Sequence, residues 1–340
     1  MTVQPRRVIV FPHIRTASHV FYQILRSHPI FQAVEPNTFT RAFLVGTDSQ
    51  SSRSKDINQR ALRMSDDEVS KISYQSKLDD LERMMAKAEL NGKWFLASEH
   101  PFLLMSSAEF QSHISVPGGE ILPMPVIEDR MLDVTADSES PSSELKIPGH
   151  VRNPTLLPDR IFFSVTPIIT IRHPARVIPS HLRALNKMFG ISLTSDPSSL
   201  VLGTTFRIER LVFDAFKSFD ESRAAAEGRA PRVPIVVDGE RLVRHPQSQM
   251  EKVCEALGID AALLKYSWEA KLNINGLEGF IDTFDRSTGV ISDPRYEKPL
   301  DLQEEVRSWE KEWDEQTAKV MEEMVTGVME DYEYLLQYSI

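Results

Sequence analysis

VIVFPHIRTASHVFYQIL, residues 8–25, has the clearest structural pattern in this chain. Its first four residues are continuously apolar, which predicts a short buried strand. The apolar spacing that follows predicts a helix over roughly residues 17–27. A loop that joins a strand to a helix lies beside the backbone N–H groups and the partial positive charge of the helix N-terminus. The loop PHIRTASH is therefore a candidate anion site.

The loop does not have the GxxxxGK[ST] pattern of nucleotide-hydrolysing enzymes, which disfavours a Mg-ATP hydrolase or kinase. Arg15 has the planar guanidinium that binds phosphate or sulfate oxygens in a bidentate manner. The hydroxyls of Thr16 and Ser18 can donate to the same anion or cap the helix. The alternative for this stretch is an ordinary helix start with an arginine on the surface.

Short apolar strands alternate with helical patterns along the rest of the chain, at residues 91–98, 167–171 and 233–237. This alternation predicts an α/β fold, a three-layer sandwich with a central, mainly parallel sheet and helices on both faces. We expect residues 1–340 to form a single domain. Polar, serine-rich or proline-rich segments near residues 45–60 and 133–160 are predicted to be exposed insertions.

The overall composition disfavours several classes of protein. The net charge of −10 does not favour a nucleic-acid or anionic membrane surface as partner. A lone cysteine, Cys254, leaves no internal disulfide, and no apolar run is long enough for a signal peptide or a membrane span. We expect a soluble, cytoplasmic protein that acts on a small molecule, needs no metal and is compatible with a homodimer.

A second candidate anion site lies in TPIITIRHPARVIPSHL, residues 166–182. Arg172 follows a predicted buried strand, and Ser180 lies two turns into the helix that comes next. Ligands of open α/β sheets bind outside the carboxyl ends of the strands, so both side chains are expected near the ligand. The alternative is an arginine at a strand end that forms an ion pair on the surface.

Taken together, these stretches resemble the sulfotransferase superfamily, whose members use 3′-phosphoadenosine 5′-phosphosulfate (PAPS). PHIRTASH (12–19) is similar to the 5′-phosphosulfate loop P-[KR]-S-G-[ST]-T, and ITIRHPARVIPS (169–180) to the 3′-phosphate motif R-[ND]-P-x-D-x-x-x-S. Residues 233–259 resemble the later V-x-Y-E-x-L strand and helix of the family. NGKWFLASEHP (91–101) resembles the strand that ends in K-[TS]-H-x-P. The loop style looks most like a divergent fungal branch with a P-loop-like fold.

The resemblance implies a role for each matched residue. Arg15 stands at the position of the catalytic cation, and Arg172 and Ser180 would hold the 3′-phosphate. His100 would be the base that takes the proton of the acceptor hydroxyl, with Glu99 as its orienting partner or as the base itself. Further residues would bind the cofactor, namely the loop residues Thr16, Ala17, Ser18 and His19, and Arg286 from a late loop over residues 282–291.

Four positions depart from the family pattern: Ala17 replaces a glycine, His19 a hydroxyl, Ser98 a lysine and Arg176 an acidic residue. Three hypotheses therefore stay open. The first is a sulfotransferase that transfers a sulfuryl group from PAPS to a hydroxyl of a small molecule such as a secondary metabolite. The second is the same fold without PAPS, catalysing a cyclisation, elimination or isomerisation. The third is a non-catalytic protein that binds an anion.

Overall fold

The computed structural model describes residues 6–49, 55–106, 108–109, 112, 125, 127–133, 147–190, 192–193, 203–270, 286–291 and 298–340. Its core is a sheet of five strands: β1 Arg7–Pro12, β2 Phe31–Ala33, β3 Trp94–Ser98, β4 Val165–Ile171 and β5 Ile235–Asp238. The spatial order is β2-β3-β1-β4-β5, and all four strand pairs are parallel. The α/β prediction is confirmed.

The central strand β1 is buried on both faces, as its continuous apolar run predicted. Ile9 and Phe11 face one hydrophobic cluster, which includes the helices Tyr74–Leu90 and Arg207–Glu227. Val8 and Val10 face the opposite cluster, built largely from the flanking helices of that side. Successive side chains of a strand point to opposite faces, so one unbroken apolar run supplies both cores. The helices therefore cover both faces of the sheet.

Twelve α-helices have both of their ends in the described part of the chain. They are α1 Ser18–Leu25, α2 Thr38–Val45, α3 Lys55–Ala61, α4 Asp66–Ser70, α5 Tyr74–Leu90, α6 Asp159–Phe162, α7 Pro174–Phe189, α8 Arg207–Glu227, α9 Gly239–Arg244, α10 Pro246–Leu257, α11 Leu302–Glu312 and α12 Glu315–Leu336. Short 3₁₀ helices follow β3 and α10, at Pro101–Leu103 and Ala261–Leu263.

The predicted insertions are only partly described. The first contains the helix α3, while residues 50–54 lie outside the described part. Residues 134–146 of the second also lie outside it. At the described end of that segment Val151 and Leu157 are buried in the core, so this end is packed rather than exposed as expected. Apolar residues among the prolines make burial more favourable than exposure there.

The topology fixes where a ligand would bind. The connection that leaves β1 runs to one side of the sheet, and the connection that leaves β4 runs to the other, although the two strands are neighbours. Such a reversal opens a crevice outside the carboxyl ends of the two strands. The loop of residues 13–17 and the residues that follow Ile171 meet at this crevice.

Candidate functional site

The loop after β1 keeps a tight turn without glycine. Arg15 and Ala17 both have a φ of 60°, in the left-handed region, and Ala17 precedes the first turn of α1. The Thr16 hydroxyl donates to the carbonyl oxygen of His13 and accepts from the hydroxyl of Thr170, both at 2.7 Å. The side chain of Thr16 is fully buried, so it shapes the loop and leaves only its amide for a ligand.

The N-terminus of α1 is suited to an anion. No side chain at Ala17 caps the helix, and the first turn has no acidic residue. The first amides of a helix have no partner within the helix and carry partial positive charge. Ala17 stands where the sulfotransferase pattern has a glycine, and it keeps the left-handed backbone conformation. This conformation costs about 1 kcal/mol for a residue with a Cβ.

The two predicted anion motifs meet in space. Nε of Arg15 donates to Oγ of Ser180 at 3.0 Å, across 165 residues of chain. Nη1 of Arg172 donates to the carbonyl oxygen of Arg15 at 3.1 Å. Because a serine hydroxyl can accept one hydrogen bond and still donate another, Ser180 keeps a donor for a ligand.

Positive charge accumulates around Arg15. Burial, together with the nearby charges of Arg172 and Arg183, lowers the pKa of Arg15 from its usual range to about 10. The guanidinium stays protonated at neutral pH, yet its environment disfavours its charge. A bound anion would relieve that repulsion, and a strongly shifted group in a crevice is typical of a functional site.

The parallel pairing of β1 and β3 places His100 beside the end of β1. Arg7 pairs with Phe95 and Val10 with Ser98, and His100 continues this register to Pro12. The ring Nδ1 of His100 lies 2.9 Å from the Pro12 carbonyl oxygen, across 88 residues. A carbonyl only accepts, so Nδ1 carries the proton and Nε2 has the free lone pair that a base needs. Burial lowers the pKa of His100 to about 4, so the ring is neutral at pH 7.

Two further histidines share this region. Burial lowers the pKa of His19 to about 4, and the charges of His100 and Arg15 act in the same direction. His13 is 2% exposed and stacks on Phe206 at 3.9 Å between ring centroids. No role was predicted for His13 from the sequence. It directly follows a continuously apolar strand, at the carboxyl end where ligands bind, and this position could have identified it as a candidate.

Glu99 does not orient His100, as the sequence analysis had allowed. Its carboxylate accepts from the backbone amides of Thr38 at 2.6 Å and Phe39 at 3.3 Å, so it caps α2. Burial raises the pKa of Glu99 to about 8. The carbonyl of Pro12 takes the orienting position instead. The use of Glu99 as a base stays a prediction.

Arg286 lies in the described segment 286–291, where it is exposed. This segment is fixed by an antiparallel bridge between Gly289 and Ser267 and by the Trp268 amide, which donates to the Thr288 carbonyl at 3.0 Å. Residues 282–285 of the predicted late loop lie outside the described part of the chain. The binding role of Arg286 stays a prediction.

The turn after β5 presses against the loop after β1. A Cβ added at Gly239 would lie 2.2 Å from the carbonyl oxygen of Thr16 and 2.9 Å from its carbonyl carbon. Both of those atoms are backbone, so a side chain here would have to displace the loop itself. Glu240, next in sequence, faces Arg172 and Arg176. Both residues lie within the stretch 233–259 that resembles the family, but no role was predicted for either from the sequence, although both follow a buried strand.

We expect Gly239→Ala to displace the loop and to lower the free energy of unfolding by about 1–3 kcal/mol, as overpacking does in a close-packed interior. Anion binding should weaken together with stability. Gly327→Ala is the matched control, because Gly327 lies in α12 with open space around it. Thermal unfolding of both variants checks the prediction, and equal melting temperatures for the two would contradict it.

Two further findings bear on the sequence predictions. Among the residues that the structure describes, no group of three His, Cys, Asp or Glu side chains could hold a metal ion. Within those same ranges no helix combines the length and the apolarity needed to cross a membrane.

Comparison with known proteins agrees with the motifs. The sequence model of the sulfotransferase family matches residues 7–262. The sulfotransferase ppzF of the fungus Metarhizium majus (strain ARSEF 297) is 25% identical over 348 residues, covering 98% of this chain and 96% of the relative. The ppzF protein of Metarhizium rileyi (strain RCEF 4871) is 26% identical over 190 residues, 54% of this chain and 55% of the relative.

A solved structure is also similar. The sulfotransferase domain from the curacin biosynthetic pathway is 11% identical, with a TM-score of 0.34 and coverage of 87% of both chains.

Proposed function

This chain belongs to the sulfotransferase family, and from that membership we propose that it transfers a sulfuryl group from PAPS to a hydroxyl of a small-molecule acceptor. The observation that carries the proposal is the meeting of Arg15, Ser180 and Arg172 at one point of the crevice. Two motifs more than 150 residues apart are joined there by hydrogen bonds, and the positive charge they gather suits a ligand with several anionic groups.

The residues present fit PAPS. The uncapped N-terminus of α1 and the amides of Thr16, Ala17, Ser18 and His19 would hold its 5′-phosphosulfate, and Arg172 with Ser180 its 3′-phosphate. PAPS supplies the sulfuryl group when it is bound. Arg15, which donates to Ser180 and accepts from Arg172 at its carbonyl, would neutralise negative charge as it develops on the leaving oxygen.

His100 would accept the proton of the acceptor hydroxyl at Nε2. The carbonyl of Pro12 holds the proton on Nδ1, so no change of tautomer is needed before the transfer. The ring of His100 packs against Phe102, with 5.7 Å between the centroids, which fixes the direction of Nε2. Positioned general bases of this kind contribute about 10²–10⁴-fold to a rate.

A second candidate is a cyclisation, elimination or isomerisation without PAPS. The observation that favours it is His19, a half-buried neutral imidazole whose pKa is affected by the charges of both His100 and Arg15. An imidazole at this place takes up room beside the helix N-terminus and offers a second proton donor or acceptor to an organic substrate. Under this candidate His100 is needed for turnover but a nucleotide is not.

Calorimetric titration with adenosine 3′,5′-bisphosphate tests the proposal. We expect saturable binding in the micromolar range, with AMP, which lacks the 3′-phosphate, bound more weakly. Addition of PAPS and a panel of hydroxyl acceptors should then release the bisphosphate. Absence of any heat at millimolar bisphosphate would contradict the proposal, and turnover of an organic substrate without nucleotide would favour the second candidate.

A further inference from the structure

A carboxylate lies between two arginines at the edge of the proposed nucleotide site. Oε1 of Glu240 is 3.9 Å from Nε of Arg172 and 3.8 Å from Nε of Arg176. These separations allow ion pairing but exceed hydrogen-bond length. The same Oε1 atom is buried and has no hydrogen-bond partner. Oε1 of Glu240 thus lies at almost equal distances from two cations.

Arg176 is fixed from its other side. Its Nη1 donates to Oε1 of Glu305 at 2.5 Å, and Glu305 lies on α11 in the C-terminal part of the chain. The Arg176 side chain is only 8% exposed. The C-terminal helix α11 therefore holds Arg176 beside Glu240 in one position, and the arrangement does not depend on a mobile surface side chain.

Burial raises the pKa of Glu240, and the charge of Arg172 opposes that rise most strongly. The charge of Asp238 raises the pKa further, and the smaller effects of Arg176 and Arg244 lower it. Both guanidinium groups thus stabilise the same buried carboxylate. A buried charge that loses one of its two partners forms a stronger ion pair with the partner that remains. For Glu240 the remaining partner would be Arg172.

Arg172 is the cation that the proposed function assigns to the 3′-phosphate. A tight ion pair with Glu240 would occupy part of its guanidinium and place a negative charge beside the incoming phosphate. The present geometry avoids this, because Glu240 stays beyond hydrogen-bond distance of Arg172 while Arg172 donates to the carbonyl of Arg15. The structure thus keeps Arg172 directed at the loop.

We infer that Arg176 is a positioning residue, which shares the charge of Glu240 and so keeps Arg172 available for the 3′-phosphate of the nucleotide. Glu305 acts one step further away by holding Arg176. This inference rests on the proposed function, because it assigns Arg176 a part in binding the same nucleotide. It makes Arg176 a determinant of affinity for the 3′-phosphate without a contact of its own to that group.

The test is a double-mutant cycle read by calorimetry with adenosine 3′,5′-bisphosphate. We expect Arg176→Met to weaken binding by about tenfold or more and Glu240→Gln to leave it equal or stronger. The double variant Arg176→Met/Glu240→Gln should return to within about threefold of the original affinity, since the competing charge is gone. AMP serves as the control ligand, and its affinity should change by less than about twofold in every variant.

Three results would overturn the inference. A double variant as weak as Arg176→Met would mean that Arg176 contacts the phosphate itself. An unchanged affinity in Arg176→Met would mean that it has no part in binding. Weaker binding in Glu240→Gln alone would show that the carboxylate supports binding, and this measurement remains available if Arg176→Met fails to fold. Failure of the unaltered protein to bind the bisphosphate would instead contradict the proposed function.

Discussion

Replacement of Arg15 by methionine is expected to lower kcat by about 10²–10³-fold, the loss seen when a single group that stabilises transition-state charge is removed. Arg15 is the cation that bonds Ser180 and lies against Arg172 in the crevice. Methionine keeps much of the length of the side chain and removes its charge. Release of adenosine 3′,5′-bisphosphate from PAPS, with a panel of hydroxyl acceptors, measures the effect.

Arg15→Lys should retain more activity than Arg15→Met, because it restores a cation, although it loses the guanidinium fork. Arg26→Met is the matched control. Arg26 follows the other end of α1, where it stacks on Tyr22 and pairs with Glu35 away from the crevice. If the Arg15→Met and Arg26→Met variants had equal kcat values, Arg15 would have no role in the chemistry.

Replacement of His100 by glutamine should lower kcat by about 10²–10⁴-fold, the usual contribution of a general base, with little change in affinity for the bisphosphate. His150→Gln is the control, since His150 is exposed and contacts Ser222 on the surface. Bisphosphate binding by the His100→Gln variant distinguishes loss of the general base from loss of the nucleotide site. A collapse of binding alongside turnover would indicate that His100 supports the nucleotide loop instead.

The pH profile provides a second check on His100. A base must be neutral to accept a proton, and burial holds the pKa of His100 at about 4, below its usual 6.5. We therefore expect kcat/KM to stay level as the pH falls from 8 to about 5.5 and to decline only as the pH approaches 4, because kcat/KM reports the free enzyme. A decline centred near pH 6.5 would contradict a buried, neutral His100.

Much of the architecture follows from local pattern. The continuous apolar run at residues 8–11 predicted a strand buried on both faces, and Ile9 and Val10 indeed face opposite clusters. The helices α1 and α7 lie after β1 and β4, where the sequence predicted a helix to follow a strand, and Gly258 ends α10 with a left-handed φ of 73°. Strong periodicity and a helix-ending glycine act over a few residues, so they can be recognised from the sequence.

Weaker local signals were missed. The strand Phe31–Ala33 has three residues, and its pairing with β3 is what makes it a strand. The helix Arg207–Glu227 has the apolar positions Val212, Phe213, Phe216 and Phe219 but was not predicted. Short edge strands depend on a neighbour for their hydrogen bonds, so the sequence of such a segment by itself does not specify its structure.

The fold class and the residue types of the candidate site follow from local pattern: the arginines, the serine and the histidine at the ends of apolar strands. Which of them meet depends on tertiary packing. Strand register brings His100 to Pro12, and the crevice joins Arg15 to Ser180. The same packing directs Glu99 to the amides of α2 and places Glu240 between two arginines. Periodicity is a local property, whereas a side chain's partner depends on contacts between residues far apart in the chain, and those exist only after the sheet has formed.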